Sequence, residues 1–517
     1  MYSCDENNKH FRSDDYIDVN ENISTSQEKH HTSGKLADTG SDTYEQVIFN
    51  SIIKHDSSKE KKIATDSEID WANLPSVAIE NIFSFLPRLD QTNMSVVCSK
   101  WSKEFSSPGV WKKLQFYLPR RDYIGKTFPE IKFGKRYASM LRHVDIIVKS
   151  VKIEETDEIW KQLKLFINIL TYESQLTTIK FINLNNYLYR LSHEDKEYLL
   201  QVILHFFTTQ KNLKSIVFVK CKFEQDYACK LLKAIFYSDN HTIKNLTLRG
   251  FINEDIFRLL SHENKLILTQ VCHRMAKVNS IEVEYTQIFE EFINCIYEKI
   301  ICSEYQLHQM KSGMSNLNIY CDGKRHFEFR GIPPNIWTLL RRVFRELKVE
   351  VNIKIRNSPE NEIPKFLAES MPLNSLNFEF KKMFTSSRVK INAVFSHISN
   401  MNLSENIENL RIIYKAPISS FSETVVPFIQ SCRNVKEIDM YVSYCPSELE
   451  NSFKKILENH PPRLNKITVS FDYFQRNQSV EKISGIIGEY YALLKQSGID
   501  WKLFYRSQYI PKTLEKI

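Results

Sequence analysis

The residues of this 517-residue chain best able to do chemistry are its ten cysteines and fourteen histidines. A zinc site needs paired ligands within a turn or a helix face, and no CxxC, HxxxH or HExxH spacing occurs. The cysteines, among them Cys98, Cys221, Cys272 and Cys295, are scattered singly, which suits small core residues of a reducing compartment better than a disulfide framework. Gly485 and Gly488 alone do not make a phosphate-binding loop, and no Ser, His or acid stands in a nucleophile elbow. Metal, cofactor and catalytic residues are all expected to be absent. The chain is expected to work by binding.

The side chains best suited to binding lie between Leu74 and Leu114. Ile79, Ile82, Phe83 and Leu86 recur at i, i+3, i+4 and i+7, which predicts an amphipathic helix with Pro75 in its first turn and Pro87 as its stop. Asp90 is placed to cap a second helix on which Met94 and Val97 share a face. Ser99 is placed to cap a third carrying Trp101 and Phe105. Each helix is too short to be stable alone, so the three must pack on one another and on a partner.

Order and spacing say more. Leu74-Pro75, the run Ile82-Phe83-Ser84-Phe85-Leu86, Asp90, Ser95-Val96-Val97-Cys98 with Trp101, and Trp111 with Leu114 together resemble the F-box family. Two positions depart from that pattern: Val77 stands where an acid is common, and Gln91-Thr92 replace a usual pair of leucines, which is expected to weaken the second helix or its packing. The resemblance implies that the module binds a Skp adaptor, which in turn binds a cullin scaffold and a RING subunit. It further implies that Leu74, Pro75, Ile79, Ile82, Phe83, Leu86, Val97, Cys98, Trp101 and Trp111 form or support that contact. Several of these, Trp101 and Trp111 especially, would equally serve to hold the small bundle together.

Ahead of this module the first 70 residues carry 8 basic and 15 acidic side chains, and residues 1–50 contain only 14 hydrophobic ones. Such a segment cannot bury enough apolar surface to offset its ordering entropy, so disorder is expected over 1–69. Tyr44, Val47, Ile48 and Ile52 share a helical face there, consistent with a short helix or with chance. The remaining 447 residues hold 62 basic and 47 acidic side chains. That excess is spread over lysine-rich helical segments without a nucleic-acid signature, so no nucleic-acid partner is expected. No apolar run approaches the roughly 18 residues needed to cross a bilayer, and no secretory signal is visible. The expected compartment is cytoplasmic or nuclear, with no membrane partner.

After Trp111 the rhythm changes. Apolar residues recur at n, n+3 and n+5 from Leu141, Leu176, Leu213, Ile243, Val278, Met314, Leu373, Ile407, Val435 and Leu464, with a weaker copy near Val351, Ile353 and Ile355. Between them lie segments of helical periodicity, such as 195–207, 227–236, 288–300 and 336–347. A strand followed by a helix, repeated, buries its apolar face only against the next copy. The fold class read from this is α/β, and it resembles a leucine-rich-repeat solenoid of the helix-bearing, ribonuclease-inhibitor-like horseshoe type, parallel strands inside and helices outside. Leu213, Ile216, Phe218, Cys221 and Phe223 fit its LxxLxLxxCxL pattern. A doubly wound domain is the alternative, against which ten parallel units and the missing phosphate loop argue. The expected organisation is an acidic tail over 1–69, an F-box over 70–115, a linker or first cap over 116–140 and a solenoid over 141–517.

In such a solenoid the residues between apolar anchors line the inner face: Lys180, Arg249, Arg411 and Lys466 against Asp145, Glu282, Glu284, Glu379, Glu437 and Asp439, a mixture of signs. Arg249 and Arg411 are candidates for holding a substrate phosphate, and Tyr320 and Tyr441 for anchoring an interface. The function this implies is the substrate-recognition subunit of an SCF-type (Skp, cullin, F-box) ubiquitin ligase, non-catalytic in itself, holding an unknown protein substrate on the repeats for proteasomal degradation. The alternative is a Skp-bound scaffold or sequestering protein without ubiquitin transfer.

Overall fold

The apolar triplet of each repeat becomes one strand, because alternate side chains of an extended segment fall on one face and bury together. A computed structural model describes residues 71–86, 88–118, 127–149, 156–237, 243–253, 260–302, 313–322, 330–355, 363–380, 391–417, 421–444 and 446–473, and 485–506 in part. The acidic segment 1–69, with the helical face of Tyr44, Val47, Ile48 and Ile52, lies outside the described residues, as does Pro87.

Thirteen parallel strands form one open sheet in strict sequence order. They are β1 (Lys113–Leu118), β2 (His143–Val148), β3 (Thr178–Ile182), β4 (Ser215–Val219), β5 (Asn245–Arg249), β6 (Ser280–Glu284), β7 (Asn316–Asp322), β8 (Lys348–Ile355), β9 (Leu373–Phe380), β10 (Asn409–Pro417), β11 (Glu437–Tyr444), β12 (Lys466–Tyr473) and β13 (Asp500–Arg506). The chain is thus an α/β protein with a parallel-sheet solenoid, as the repeat spacing predicts. Helices follow the strands, including Thr156–Glu173, His193–Thr209, Gln225–Tyr237, His262–Met275 and Gln287–Cys302. Each packs on its neighbours and on one face of the sheet, which is where the core lies.

The core is a file of rings. Phe181 of β3 stacks on Phe218 of β4 with centroids 5.4 Å apart, and Phe218 also meets Phe207, Phe223 and Phe251. Each fully buried ring contributes on the order of 2–3 kcal/mol before ordering costs. Polar side chains close the turns between layers. Gln210 is wholly buried; its Nε2 donates to the carbonyls of Leu170 and Ser174, each at 3.1 Å, and its Oε1 accepts from the Leu176 amide at 3.0 Å. Cys221, the cysteine of the repeat pattern, donates Sγ–H to the Phe181 carbonyl at 3.4 Å. Ser192 and Ser261 cap their helices by accepting from the amides of Asp195 and Asn264, both at 3.1 Å.

Three features differ from expectation or add to it. The sheet begins before residue 141: β1 starts at Lys113, and Trp111, Leu114 and Phe116 repeat the n, n+3, n+5 spacing. Segment 116–140, expected as a linker or first cap, holds among its described residues the end of β1 and a helix, Pro129–Tyr137. The weak copy is strand β8, where Val351 and Ile353 are buried as expected and Val349 is buried with them. A last strand, β13, follows Gly498, which sits at φ +77° where an apolar anchor would stand.

Candidate adaptor surface and open sheet face

Three helices precede the sheet: α1 (Ser76–Phe85), α2 (Arg88–Ser95) and α3 (Ser99–Phe105). Helix α1 forms because Ile79 and Phe83 sit on one stripe, and both are fully buried. They pack with Trp101, Val110 and Trp111, with Leu74, Ile82, Leu86, Met94, Cys98 and Phe105 half-buried around them. Phe83 meets Trp101 at 5.6 Å and Phe105 at 5.5 Å, and Phe105 meets Trp111 at 4.7 Å, with ring planes inclined in each pair. The Ser76 hydroxyl donates to Glu104 at 2.8 Å, and Ser107 bonds Glu80, whose carboxylate fills the space beside Gly109.

Several sequence expectations change here. Gln91, expected to weaken the second helix or its packing, is 5% exposed, and its Nε2 donates to the carbonyls of Phe83 at 2.6 Å and Leu86 at 3.1 Å. Those carbonyls belong to the end of α1, where the Leu86 amide also reaches the Phe83 carbonyl at 3.2 Å, so Gln91 adds a side-chain donor to the close of that helix. Asp90 lies within the first turn of α2 rather than at its cap, where its charge still favours the helix dipole. Cys98, not Ser99, occupies the cap position of α3, in extended backbone and without a side-chain bond. Pro75 precedes the first residue of α1.

The candidate adaptor residues separate into two groups. Ile79, Phe83, Trp101 and Trp111 are buried and hold the bundle. Pro75 and Val97 are exposed, and Leu74, Ile82, Leu86 and Cys98 are half-buried. Three side chains outside the candidate adaptor set are also open: Phe85 is 86% exposed, Val96 81% and Val77 68%, beside Val97 at 69%. Four large apolar side chains left in water within so short a stretch mark a surface made to be covered. Their signal in the sequence is that they are apolar but lie off the buried stripe.

The bundle continues into the sheet without a break. Trp111 packs on Phe133 at 4.7 Å and stacks on Tyr137 at 5.7 Å, both from Pro129–Tyr137, here α4. Ala72–Ile517 form one compact unit.

On the sheet face away from the helices, charges pair across neighbouring strands. Lys180 meets Asp145 at 3.5 Å, Arg249 meets Glu282 at 3.5 Å, Lys354 meets Glu379 at 3.1 Å, Arg411 meets Asp439 at 3.1 Å and Lys466 meets Glu437 at 3.2 Å. The two candidate phosphate holders, Arg249 and Arg411, thus already face carboxylates. Arg249 also lies 4.1 Å over the ring of Tyr320. Burial, then the neighbouring Glu282, raises the Tyr320 hydroxyl above its ordinary range, against the pull of Arg249. Tyr441 is half-buried on β11, three strands beyond β8 and well apart from that cluster in the strand order. In the middle of the face, Asn352 donates to Asn318 at 2.5 Å, and Asn377 donates to Asn352 and to Glu350, each at 2.7 Å. Among the described residues no group of three metal-ligating side chains comes together, and no helix is long and apolar enough to cross a membrane.

Residues 71–113 match the family model of the F-box domain. The chain is similar to F-box/LRR-repeat protein 21 of Bos taurus and of Mus musculus, 34% identical over 86 residues in each, and to that of Ovis aries, 31% identical over 88 residues. Each match covers 16% of this chain and 20% of the relative, so the similarity spans about a fifth of the length of those proteins.

Proposed function

We propose that this chain, an F-box domain running directly into a parallel-sheet solenoid, is the substrate-recognition subunit of an SCF-type ubiquitin ligase. The F-box would bind the Skp adaptor, and through it a cullin and a RING subunit, while the solenoid holds a protein substrate in the cytoplasm or nucleus. The protein does no chemistry in this reading. It raises the effective concentration of the target beside the charged transfer enzyme.

The observation that carries the reading is the exposed apolar set Val77, Phe85, Val96 and Val97 on a three-helix bundle whose own core is already full. Leu74, Ile82, Leu86 and Cys98 supply half-open surface beside it, and Pro75 is exposed. The rings linking Phe105 through Trp111 to Tyr137 favour a fixed geometry between adaptor and substrate rather than a tether.

The test is co-expression of the full chain with a Skp adaptor. Phe85→Asp combined with Val97→Asp alters two exposed side chains, so folding is retained while adaptor recovery falls at least about tenfold, as expected of interface anchors. Undiminished recovery with the double variant would sink the reading. Recovery of adaptor without cullin would instead favour the scaffold role.

A further inference from the structure

The open sheet face is not uniformly polar. Tyr117 of β1 registers with Ile147 of β2, Ile147 with Ile182 of β3, and Ile182 with Val219 of β4. Val217 stands beside them on β4, in register with Lys180 and Thr247. All five are only half-buried, and they alternate with core residues such as Ile146, Phe181 and Phe218, so they face away from the helices. From β5 to β9 the corresponding positions hold Thr247, Arg249, Glu282, Glu284, Asn318, Tyr320, Glu350, Asn352, Ser375 and Asn377. A solvated sheet face takes polar residues of that kind. A continuous aliphatic row on three adjacent strands, outside the core, is a surface fitted to apolar side chains.

The edge of this row is basic. Lys149 follows β2, with Nζ 5.1 Å from the Tyr117 ring. Lys220 and Lys222 follow β4 in left-handed backbone at φ 53° and 49°, fixed by amide bonds to the carbonyls of Arg249 at 2.7 Å and Gly250 at 2.8 Å. Arg249 ends β5. The nearby carboxylates are engaged: Asp145 with Lys180, Glu282 with Arg249 and Glu224 with Lys196. One flank along the sheet is opposite in character, since Glu282, Glu284 and Glu350 lie on β6 and β8.

We propose that Tyr117, Ile147, Ile182 and Val219 seat the apolar side chains of an acidic protein segment whose carboxylates meet Lys149 and Lys220. This inference rests on the substrate-recognition reading and names the class of substrate. The carboxylates beyond β5 repel the same segment, which confines it to the first strands. Bases of a single-stranded nucleic acid would need successive ring faces on which to stack, and the row offers one ring, Tyr117, beside three aliphatic side chains.

The experiment is selection of random dodecapeptides displayed on phage against the full chain in complex with its Skp adaptor, followed by anisotropy titration of the consensus peptide. The expected consensus has apolar residues flanked by Asp or Glu. Ile182→Asp should weaken its binding about tenfold or more, and Lys149→Glu with Lys220→Glu about fivefold, with the wild-type affinity falling as salt rises. Arg411→Glu, at the far end of the sheet, should leave binding unchanged. A consensus without acidic residues, or one that binds Ile182→Asp as tightly as wild type, overturns the proposal. So does an oligouridylate competing for the row, or a dimer that Ile182→Asp converts to monomer, which would assign the face to nucleic acid or to a second copy. Since the lysine variants alter exposed side chains, they remain informative if Ile182→Asp misfolds. Adaptor recovery, measured in parallel on each variant, separates failure of this inference from failure of the ligase reading.

Discussion

Trp111 stacks on Tyr137 with ring centroids 5.7 Å apart and planes 5° from parallel. Trp111 closes the F-box bundle and, by its spacing to Leu114 and Phe116, also stands as the first apolar anchor of the sheet. Phe105 approaches it from the bundle side and Phe133 from the solenoid side, both at 4.7 Å. Removing the indole leaves a cavity shared by both parts, and neither can collapse into it without moving the other.

Trp111→Ala is therefore expected to cost about 3–5 kcal/mol and to uncouple bundle from solenoid. Differential scanning calorimetry should resolve a separate early transition for the F-box. A single transition at the wild-type temperature would mean that the stack does not join them.

Gln91→Leu restores the residue more usual in the F-box pattern, yet it is expected to destabilise this chain. The leucine removes the buried Gln91 donor from the carbonyls of Leu86 and of Phe83, the latter keeping the Leu86 amide, a loss of about 1–3 kcal/mol. Chemical denaturation followed by tryptophan fluorescence reads the sign, and a stabilised variant would refute the capping role.

Acidification should weaken the fold through His143 and His273. Burial holds both imidazoles below their ordinary value of 6.5; next in effect are Lys113 for His143 and Lys277 for His273. A histidine whose folded pKa is depressed binds its proton first in the unfolded chain, so stability is full above about pH 6.5 and falls as pH drops through the window below it. Glu408 acts lower still: a hydrogen bond from Asn374, with Lys436 and Lys348 alongside, holds its carboxyl below the usual range against a smaller effect of burial. Its contribution is present above the ordinary carboxylate range and lost as pH falls through its folded pKa. Denaturant midpoints measured from pH 7 to pH 5 should fall. His143→Gln with His273→Gln should flatten that slope, and an unchanged slope in the double variant would assign it elsewhere.

Much of this architecture is legible in the sequence because strand burial has a period of two and each repeat supplies a fixed triplet of apolar anchors. That spacing marks β2 to β12, although β8 is a weaker copy because Glu346 stands three residues before Val349, where an anchor belongs. It misses β1 because Trp111 is already accounted for by the F-box pattern, and β13 because Gly498 has no side chain to mark its place. The adaptor surface is less legible. Motif positions such as Ile79, Phe83 and Trp101 are recognisable because the bundle core requires them, whereas Phe85, Val96 and Val77 obey no internal packing rule. Charge counting along the sheet likewise yields a mixed face, and only strand register reveals that the mixture is a set of cross-strand pairs beside an aliphatic row.

Phe218→Ala tests how independently the solenoid's layers stand. Its ring is fully buried and meets Phe181 of β3, Phe207 of the preceding helix, Phe223 and Phe251. The loss should be about 3–5 kcal/mol, because four rings fixed by their own strands and turns cannot refill the space. In a repeat array each layer is stabilised by its neighbours, so the damage should stay local. Hydrogen exchange should show amides of β3 to β5 losing protection while those of β11 and β12 keep theirs, and adaptor recovery should be unaffected since α1 to α3 lie outside the disturbed layers. Uniform loss of protection across all thirteen strands would show instead that the solenoid unfolds as one cooperative block.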